Sequence, residues 1–327
     1  MTSLAQVAIH TSQFPDQVRA DLRASLRARQ VNHKFHYDSV KQTQKWLALH
    51  QIYSPTRNDG DCLAVYERSF TAAAARITAP SVTVIGLGCG GGQKDTRLLA
   101  RLAASGRAVA YAPCDVAGAM VLVARQTALA VLPPEHCFPF VFDLAAATDL
   151  PAVFATRLDP AATRLYTFFG MIPNFAPDVI LPRLASLVRP EDWLLFSANL
   201  APGPDYTTGV RHILPQYDNA PTRDWLLTFL LDLGVERADG ELRFTIVSDP
   251  ASDLQRVEAN FHFTRDRRVE IESDTFDFPA GSAIRLFFSY RYTPDRVRSA
   301  LTAHGLQVQE QWITQSGEEG VFLCRRP

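Results

Sequence analysis

The chain has 327 residues, enough for about two domains or one enlarged domain. Hydrophobic residues make up 47% and charged residues 20% of the chain, a composition that excludes disordered, collagen-like and disulfide-stapled proteins. Lys and Arg total 33 against 34 Asp and Glu, so no net field attracts nucleic acid or an anionic membrane surface. We expect a soluble globular protein without a nucleic-acid partner.

The five cysteines are dispersed, form no CxxC pair and show no zinc-like spacing with the eight histidines. This pattern predicts a reduced, cytoplasmic chain. No run reaches about 18 apolar residues, and the N-terminus lacks a basic head followed by an apolar run. We therefore expect neither a membrane span nor a signal peptide.

Two helical segments are predicted before the first strand. Val18, Leu22 and Leu26 recur at helical spacing and predict an amphipathic helix over residues 16–29. Residues 33–57 form an aromatic-rich helical segment that ends in a proline turn. This segment fits either a pocket wall or a surface that docks the N-terminal helices on the main domain.

Strands alternate with helices over about residues 80–200, and this alternation predicts an α/β fold with a parallel sheet. The first strand runs into a glycine cluster over residues 86–92. The second strand is predicted to end at Asp115 and the third at Asp143.

Beyond residue 200 the pattern changes. A helix is predicted to begin at Asn219 or Thr222, and a later one is capped by Thr293. The closing residues 308–325 have the pattern of a hairpin. Apolar and polar residues alternate in four stretches, which predicts antiparallel strands at 241–250, 255–266, 267–278 and 283–293.

The glycine cluster follows a strand and opens a helix, where backbone N–H groups can approach a ligand closely. Asp115 follows about 25 residues later, where a ribose-binding carboxylate belongs. A loop and two acids at three successive strand ends favour an S-adenosylmethionine methyltransferase, with Asp143 placed for the adenine amino group. An NAD(P)-dependent oxidoreductase fits the loop and the first acid, and either acid alone could be a helix N-cap.

Seven segments of the chain carry a resemblance to a known family: FHYDSV, IYSPTR, GLGCGGGQKDTRLL, APCDV, FFGMIPNFAP, QYDNA and FFSYRYT. In order and spacing they resemble the histidine Nα-methyltransferases of ergothioneine biosynthesis and their relatives, which include the fungal dimethylallyltryptophan N-methyltransferases. The resemblance implies a Rossmann-like class I methyltransferase domain over residues 60–200. It also implies a discontinuous α+β substrate-binding domain made of residues 1–59 plus 201–327.

The resemblance further implies S-adenosyl-L-methionine as cofactor, S-adenosyl-L-homocysteine as product, and no metal. Asn174 and Tyr217 match positions that hold the amino and carboxylate groups of the substrate, and with Tyr37 they are the expected catalytic residues. From the residues alone, Asn174 could instead cap a helix and Tyr217 could be a half-buried core aromatic. The expected cofactor-binding residues are Tyr53, Gly86, Gly88, Gly90, Lys94, Asp115 and Asp143. The expected substrate pocket consists of Tyr37, Tyr53, Asn174, Tyr217, Ala259, Phe287 and Ser289.

Two departures from the family concern the substrate. Histidine-specific members have a glutamate two residues before the serine that matches Ser289, and it binds the imidazole; here that residue is Phe287. Ala259 replaces a methionine. A carboxylate accepts a charge-assisted hydrogen bond from a ring N–H that is worth about 1.5–3 kcal/mol, and phenylalanine cannot accept such a bond. We therefore predict that histidine selectivity is lost and that the pocket suits a larger aromatic or hydrophobic side chain.

Two further departures concern the cofactor. Gly86 stands where most relatives have an acid before the glycine loop. Asp95 interrupts the Lys-Thr-Arg signature of the family, between Lys94 and Thr96.

The predicted function is S-adenosylmethionine-dependent methylation of the amino nitrogen of a small amino acid or amine, aromatic or bulky and other than histidine. A small-molecule substrate is the only partner expected, and a monomer is compatible with the sequence. Three alternatives stay open: a histidine methyltransferase with a rearranged pocket, an NAD(P)-dependent oxidoreductase, and a homologue that binds its ligand without turnover.

Overall fold

Helices and strands alternate through the computed structural model, which describes residues 4–327; the first three residues of the predicted 1–59 segment lie outside this range. The helices are α1 (Pro15–Ala28), α2 (Val40–Tyr53), α3 (Pro55–Asn58), α4 (Gly60–Arg76), α5 (Gln93–Ala104), α6 (Gly118–Ala128), α7 (Leu150–Ala155), α8 (Pro177–Leu187), α9 (Tyr206–Ile213), α10 (Ala220–Asp232) and α11 (Pro294–Ala303). The strands are β1 (Ala8–Ile9), β2 (Ser81–Leu87), β3 (Ala108–Asp115), β4 (Phe140–Val141), β5 (Thr163–Phe168), β6 (Trp193–Asn199), β7 (Gly240–Asp249), β8 (Leu254–Phe263), β9 (Arg267–Ile271), β10 (Asp274–Phe278), β11 (Ala283–Arg291), β12 (Gln307–Ile313) and β13 (Glu319–Arg325).

The largest sheet among the described residues has eight strands in the order β1-β4-β3-β2-β5-β6-β13-β12. From β1 to β6 all neighbours are parallel, and β13 runs antiparallel to β6. Val82 and Val84 enter one apolar cluster while Ile85 and Leu87, which alternate with them, enter another. Both faces of β2 are therefore buried, which explains its continuous apolar sequence. The α/β fold class with a parallel sheet is confirmed.

A second, antiparallel sheet consists of β11, β8 and β7, and a two-stranded hairpin of β9 and β10 stands beside it. Apolar side chains of this sheet and of helices α1 and α10 meet in a third cluster, to which Leu26, Trp225, Phe261 and Phe287 belong. The stretch 267–278, expected to be one strand, is a hairpin because the chain turns at Glu272, whose φ is 54°.

Both ends of the described chain lie in the large sheet. β1 pairs with β4, and β13 pairs with β6 from Glu319 opposite Asn199 to Cys324 opposite Leu194. The sheet thus draws strands from the segments 1–59 and 201–327, which the sequence assigned to the second domain. Alternation of residue types predicted the closing hairpin but carries no signal for its partner strand. The division of the chain at residues 60 and 200 stays a prediction.

β4 is shorter than the strand that the sequence predicted to end at Asp143. Its ladder covers only Phe140 and Val141, and the backbone N–H of Asp143 donates to Ser12 Oγ (3.0 Å) instead of a neighbouring strand. Asp143 therefore lies in the loop directly after the strand. No helix in residues 4–327 combines the length and the hydropathy needed to cross a membrane.

Candidate active site

Two cavities lie at the carboxyl ends of the central parallel strands. The larger measures about 760 Å³ and the smaller about 220 Å³. Their walls have five residues in common: Tyr37, Trp46, Gly170, Asn174 and Asn199. The two cavities are therefore adjacent.

The glycine loop forms one wall of the larger cavity. The backbone N–H groups of Gly88 and Cys89 both donate to the carbonyl of Cys114, at 2.9 and 3.0 Å, and tie the loop to β3. Gly92, with φ 74°, caps α5, and a Cβ there would lie 2.8 Å from the Cα of Ala124. Only glycine allows this close approach, which brings the N-terminus of α5 to the cavity.

The two acids predicted at strand ends both line the larger cavity. Asp115 accepts hydrogen bonds from the N–H groups of Gly90 (3.3 Å) and Ala117 (3.1 Å), and its burial raises its pKa to about 6. Asp143 accepts from the N–H of Ala145 (2.9 Å), and its burial also raises its pKa, opposed by the nearby Lys34. The sheet thus brings together two acids that are 28 positions apart in the chain, 143 minus 115.

Lys94 lies in the first turn of α5 and also lines the larger cavity. Its Nζ donates to Tyr66 Oη (2.9 Å), lies 4.1 Å from the centroid of that ring, and is 3.9 Å from Glu319 Oε1. Glu319 comes from β13, so the closing hairpin contributes to this cavity.

The smaller cavity holds the polar groups expected to bind the substrate. Nδ2 of Asn174 donates to the carbonyl of Phe288 (2.7 Å), which leaves its Oδ1 as an acceptor. Oη of Tyr217 lies 2.7 Å from Ser289 Oγ and accepts a hydrogen bond from Arg291 Nη2 (2.6 Å). Arg291 is 4% exposed, so the phenol group meets a buried positive charge.

Aromatic rings surround Phe287, which lines the smaller cavity. Its ring centroid lies 5.8 Å from that of His33, 6.1 Å from Tyr217 and 6.0 Å from Trp225. Burial, together with the neighbouring His36, lowers the pKa of His33 to about 3, so this imidazole is neutral at physiological pH. Among the described residues, no Asp or Glu lines the smaller cavity.

Not every residue expected at the site lies on a cavity wall. Within residues 4–327, Gly86 and Ala259 line neither cavity. Ala259 is fully buried beside Phe287 in the pairing of β8 with β11, so it packs against that wall residue without lining a cavity itself. Tyr53, also expected to bind the cofactor, lines only the smaller cavity and is 49% exposed. Tyr37 lines both cavities, and its Oη lies 3.0 Å from His33 Nε2.

Four wall or supporting residues were not singled out from the sequence as site residues: His33, Trp46, Asp95 and Arg291. The sequence does draw attention to Asp95, because this residue interrupts the Lys-Thr-Arg signature of the family. Arg291 stands in the quoted FFSYRYT segment, but a basic residue in a strand is usually solvent-exposed, and nothing local indicated its burial.

A parallel sheet extended by an antiparallel hairpin, with a glycine loop and strand-end acids around one cavity, is the architecture of a class I S-adenosylmethionine-dependent methyltransferase. The family model for histidine-specific, S-adenosylmethionine-dependent methyltransferases matches residues 14–326, and the chain belongs to this family. The oxidoreductase alternative is therefore wrong.

Two curated relatives of the chain are both named histidine N-alpha-methyltransferase. The chain is 28% identical over 304 residues to a histidine N-alpha-methyltransferase of Mycobacterium tuberculosis (strain CDC 1551 / Oshkosh), covering 90% of this chain and 89% of the relative. It is 25% identical over 327 residues to one of Mycolicibacterium smegmatis (strain ATCC 700084 / mc(2)155), covering 95% of each. Among solved structures, the magnesium protoporphyrin IX methyltransferase of Synechocystis PCC 6803 with bound S-adenosylhomocysteine is similar at 13% identity and a TM-score of 0.44, over 88% of this chain and 95% of that one.

In residues 4–327, no group of three or more His, Cys, Asp or Glu side chains is arranged to hold a metal ion.

Proposed function

We propose that the protein transfers the methyl group of S-adenosylmethionine to the amino nitrogen of a small amino acid or amine whose side chain is aromatic or bulky and is not histidine. The observation that carries this proposal is Phe287. It stands at the position where the resemblance places an imidazole-binding glutamate, and aromatic rings surround it. A wall without a carboxylate favours an apolar ring over a polar imidazole.

The larger cavity fits the cofactor. Asp115 and Asp143, on successive strand ends, are placed for the ribose hydroxyls and the adenine amino group. Gly88 and Gly90 allow the backbone to approach the ligand, and Lys94 supplies a positive charge for a carboxylate. When bound, the cofactor supplies an electrophilic sulfonium methyl group.

The smaller cavity holds and orients the methyl acceptor. Asn174 lines both cavities. Its Oδ1 accepts a hydrogen bond from the substrate amine and so directs the lone pair of the amine nitrogen toward the larger cavity. Tyr217, supported by Arg291, binds the carboxylate if the substrate has one. The amine must be neutral to react, so its proton has to pass to water, either directly or through Tyr37, which burial keeps protonated by raising its pKa and which releases its own proton as it accepts this one. Orientation and exclusion of water supply most of the rate enhancement.

The proposal is tested by methyl transfer to a panel of amino acids and amines, with mass spectrometry of the products. We expect the native chain to prefer an aromatic or bulky substrate over histidine. Phe287→Glu should shift the preference toward histidine by about 10- to 100-fold in kcat/KM, because it supplies a charged acceptor for the ring N–H.

Phe287→Gln is the matched control, since it has the size of the glutamate without its charge. It should lose activity on the aromatic substrate without an equal gain on histidine. A native chain that prefers histidine over every other member of the panel would establish instead a histidine methyltransferase with a rearranged pocket.

A further inference from the structure

Gly86, near the end of β2, faces a carboxylate. A Cβ on Gly86 would lie 2.2 Å from Asp95 Oδ2 and 3.2 Å from Tyr111 Oη. Gly86 pairs with Thr167 of β5 and is not among the glycines with a positive φ, so its backbone does not require glycine. The reason for glycine at this position is the space that the side chain of Asp95 occupies.

Asp95 enters this space from the first turn of α5 and is held there on both oxygens. Tyr111 Oη donates to its Oδ2 (2.6 Å), and Thr167 Oγ1 donates to its Oδ1 (2.8 Å). Asp95 is 3% exposed, and its burial raises its pKa to about 6. Both hydrogen-bond donors are neutral hydroxyl groups, and among the described residues no Lys, Arg or His forms an ion pair with Asp95. A carboxylate has about four acceptor positions, so these two bonds leave it able to accept more.

The position of Asp95 in the larger cavity indicates which part of the cofactor it faces. The acids proposed for adenosine lie at the ends of β3 and β4, whereas Asp95 lies over Gly86 near the end of β2 and bonds to Thr167 near the end of β5 as well as to Tyr111 within β3. Gly170, just after β5, belongs to both cavities. The sulfonium has to reach the smaller cavity, so the amino-acid part of the cofactor lies on the β2 and β5 side.

That part of the cofactor has a carboxylate and an ammonium group. Lys94 supplies a positive charge on this side of the cavity. Glu319, the other acid there, is already bonded to Tyr66 and lies near Lys94, so Lys94 offsets its charge. Lys94 lowers the pKa of Asp95 only as the smallest of its causes and forms no ion pair with it, so an ammonium group would supply the direct charge partner that Asp95 lacks.

We propose that Asp95 binds the ammonium group of the cofactor, and that it takes the place of an acid on β2 by reaching from α5 into the space left open by Gly86. The carboxylate has moved from the strand to the helix, and its site in the cavity is unchanged.

The test compares two ligands by calorimetry in the absence of any methyl acceptor. S-Adenosylhomocysteine has the ammonium group, whereas 5′-methylthioadenosine has the adenosine and sulfur but no amino-acid part. We expect Asp95→Asn to weaken binding of S-adenosylhomocysteine by about 10- to 100-fold and to leave binding of 5′-methylthioadenosine nearly unchanged. Asp143→Asn is the control. It should weaken the binding of both ligands, since both contain the adenine for which Asp143 is placed.

An equal loss of affinity for both ligands in Asp95→Asn would show that Asp95 only shapes the glycine loop, and an unchanged affinity for both would show no role; either result overturns the proposal. No substrate is used, so the outcome does not depend on the methyl acceptor proposed above.

A second variant returns the acid to the strand. Gly86→Asp alone should destabilise the fold, because its side chain needs the space that Asp95 fills. Gly86→Asp combined with Asp95→Thr should fold and should recover most of the preference for S-adenosylhomocysteine over 5′-methylthioadenosine that Asp95→Thr alone loses. Thermal unfolding without ligand checks that each variant folds. A folded double variant that binds 5′-methylthioadenosine normally and recovers no preference overturns the exchange between the two positions.

Discussion

Burial raises the pKa of two carboxyl groups at the larger cavity, those of Asp95 and Asp115, to about 6. An Asp carboxyl ordinarily has a pKa of about 3.9. Between these values the folded chain binds more protons on these groups than the unfolded chain does. Each group therefore contributes stability at low pH that is lost as the pH rises through about 4 to 6.

Asp95→Asn removes one of these titrations. We expect the free energy of unfolding of the variant, minus that of the native chain, to be larger at about pH 7.5 than at about pH 4.5, since only the native chain ionises Asp95 over that range. Urea unfolding at the two pH values measures this difference. A difference that is the same at both would contradict the raised pKa.

Asn174 is oriented by its bond to the carbonyl of Phe288. Asn174→Ala removes the acceptor that aims the amine, and we expect kcat to fall about 100-fold, the loss that a misplaced reactant causes. The affinity for S-adenosylhomocysteine, measured by calorimetry, should stay within a few-fold because the adenosine contacts are unchanged. Nearly native turnover would remove Asn174 from the proposed mechanism.

Helices α5 and α6 approach each other at the glycine loop. Gly92 and Gly106 stand at opposite ends of α5 with similar φ values, 74° and 79°. A Cβ at Gly92 would meet the backbone of Ala124 at 2.8 Å, whereas one at Gly106 would have no neighbour within 4 Å. Comparison of these two glycines separates backbone strain from helix packing.

Gly106→Ala should lower the free energy of unfolding by about 1–2 kcal/mol, the cost of a left-handed conformation. Gly92→Ala should lower it by a further 1–3 kcal/mol or so, because α6 has to move away from the loop. Urea unfolding of both variants gives the comparison. Equal losses would mean that the approach of α6 to Gly92 is loose.

Strands from both ends of the described chain complete the large sheet, and polar contacts join that sheet to the antiparallel one. Tyr292 N–H donates to the carbonyl of Asn199 (3.2 Å), and Asn174 reaches β11. The chain passes several times between the part that contains the large sheet and the part that contains the antiparallel sheet. We expect them to unfold together although each has its own apolar cluster.

The four tryptophans allow a test of this coupling. Trp193 and Trp312 lie in the large sheet. Trp46 in α2 and Trp225 in α10 pack with the apolar cluster of the antiparallel sheet. Phe322→Ala, at a fully buried position of β13, should lower the free energy of unfolding by about 3–5 kcal/mol. In variants that keep one pair of tryptophans, fluorescence should show the same decrease in urea midpoint for both pairs. Separate midpoints would show two independently unfolding domains.

Most of the fold, and several residues that line the larger cavity, could be predicted locally. Helix caps such as Asn219 and Thr293 are confirmed, because a cap bonds to an N–H only three residues away. Asp115 and the glycine loop were found for a similar reason, since the carboxyl ends of parallel strands always meet at one edge of the sheet.

Contacts between residues far apart in the chain were beyond prediction from local pattern. The bond of Arg291 to Tyr217 spans 74 positions and that of Asp95 to Thr167 spans 72. The partner of β13 and the position of Ala259 beside Phe287 also depend on such contacts. Residue spacing reports hydrogen bonds and exposed faces within one element, so it predicts helices, strands and the cofactor class. Which side chain fills the space beside Gly86, and which rings surround Phe287, follow from packing between elements, which acts only once the chain has folded.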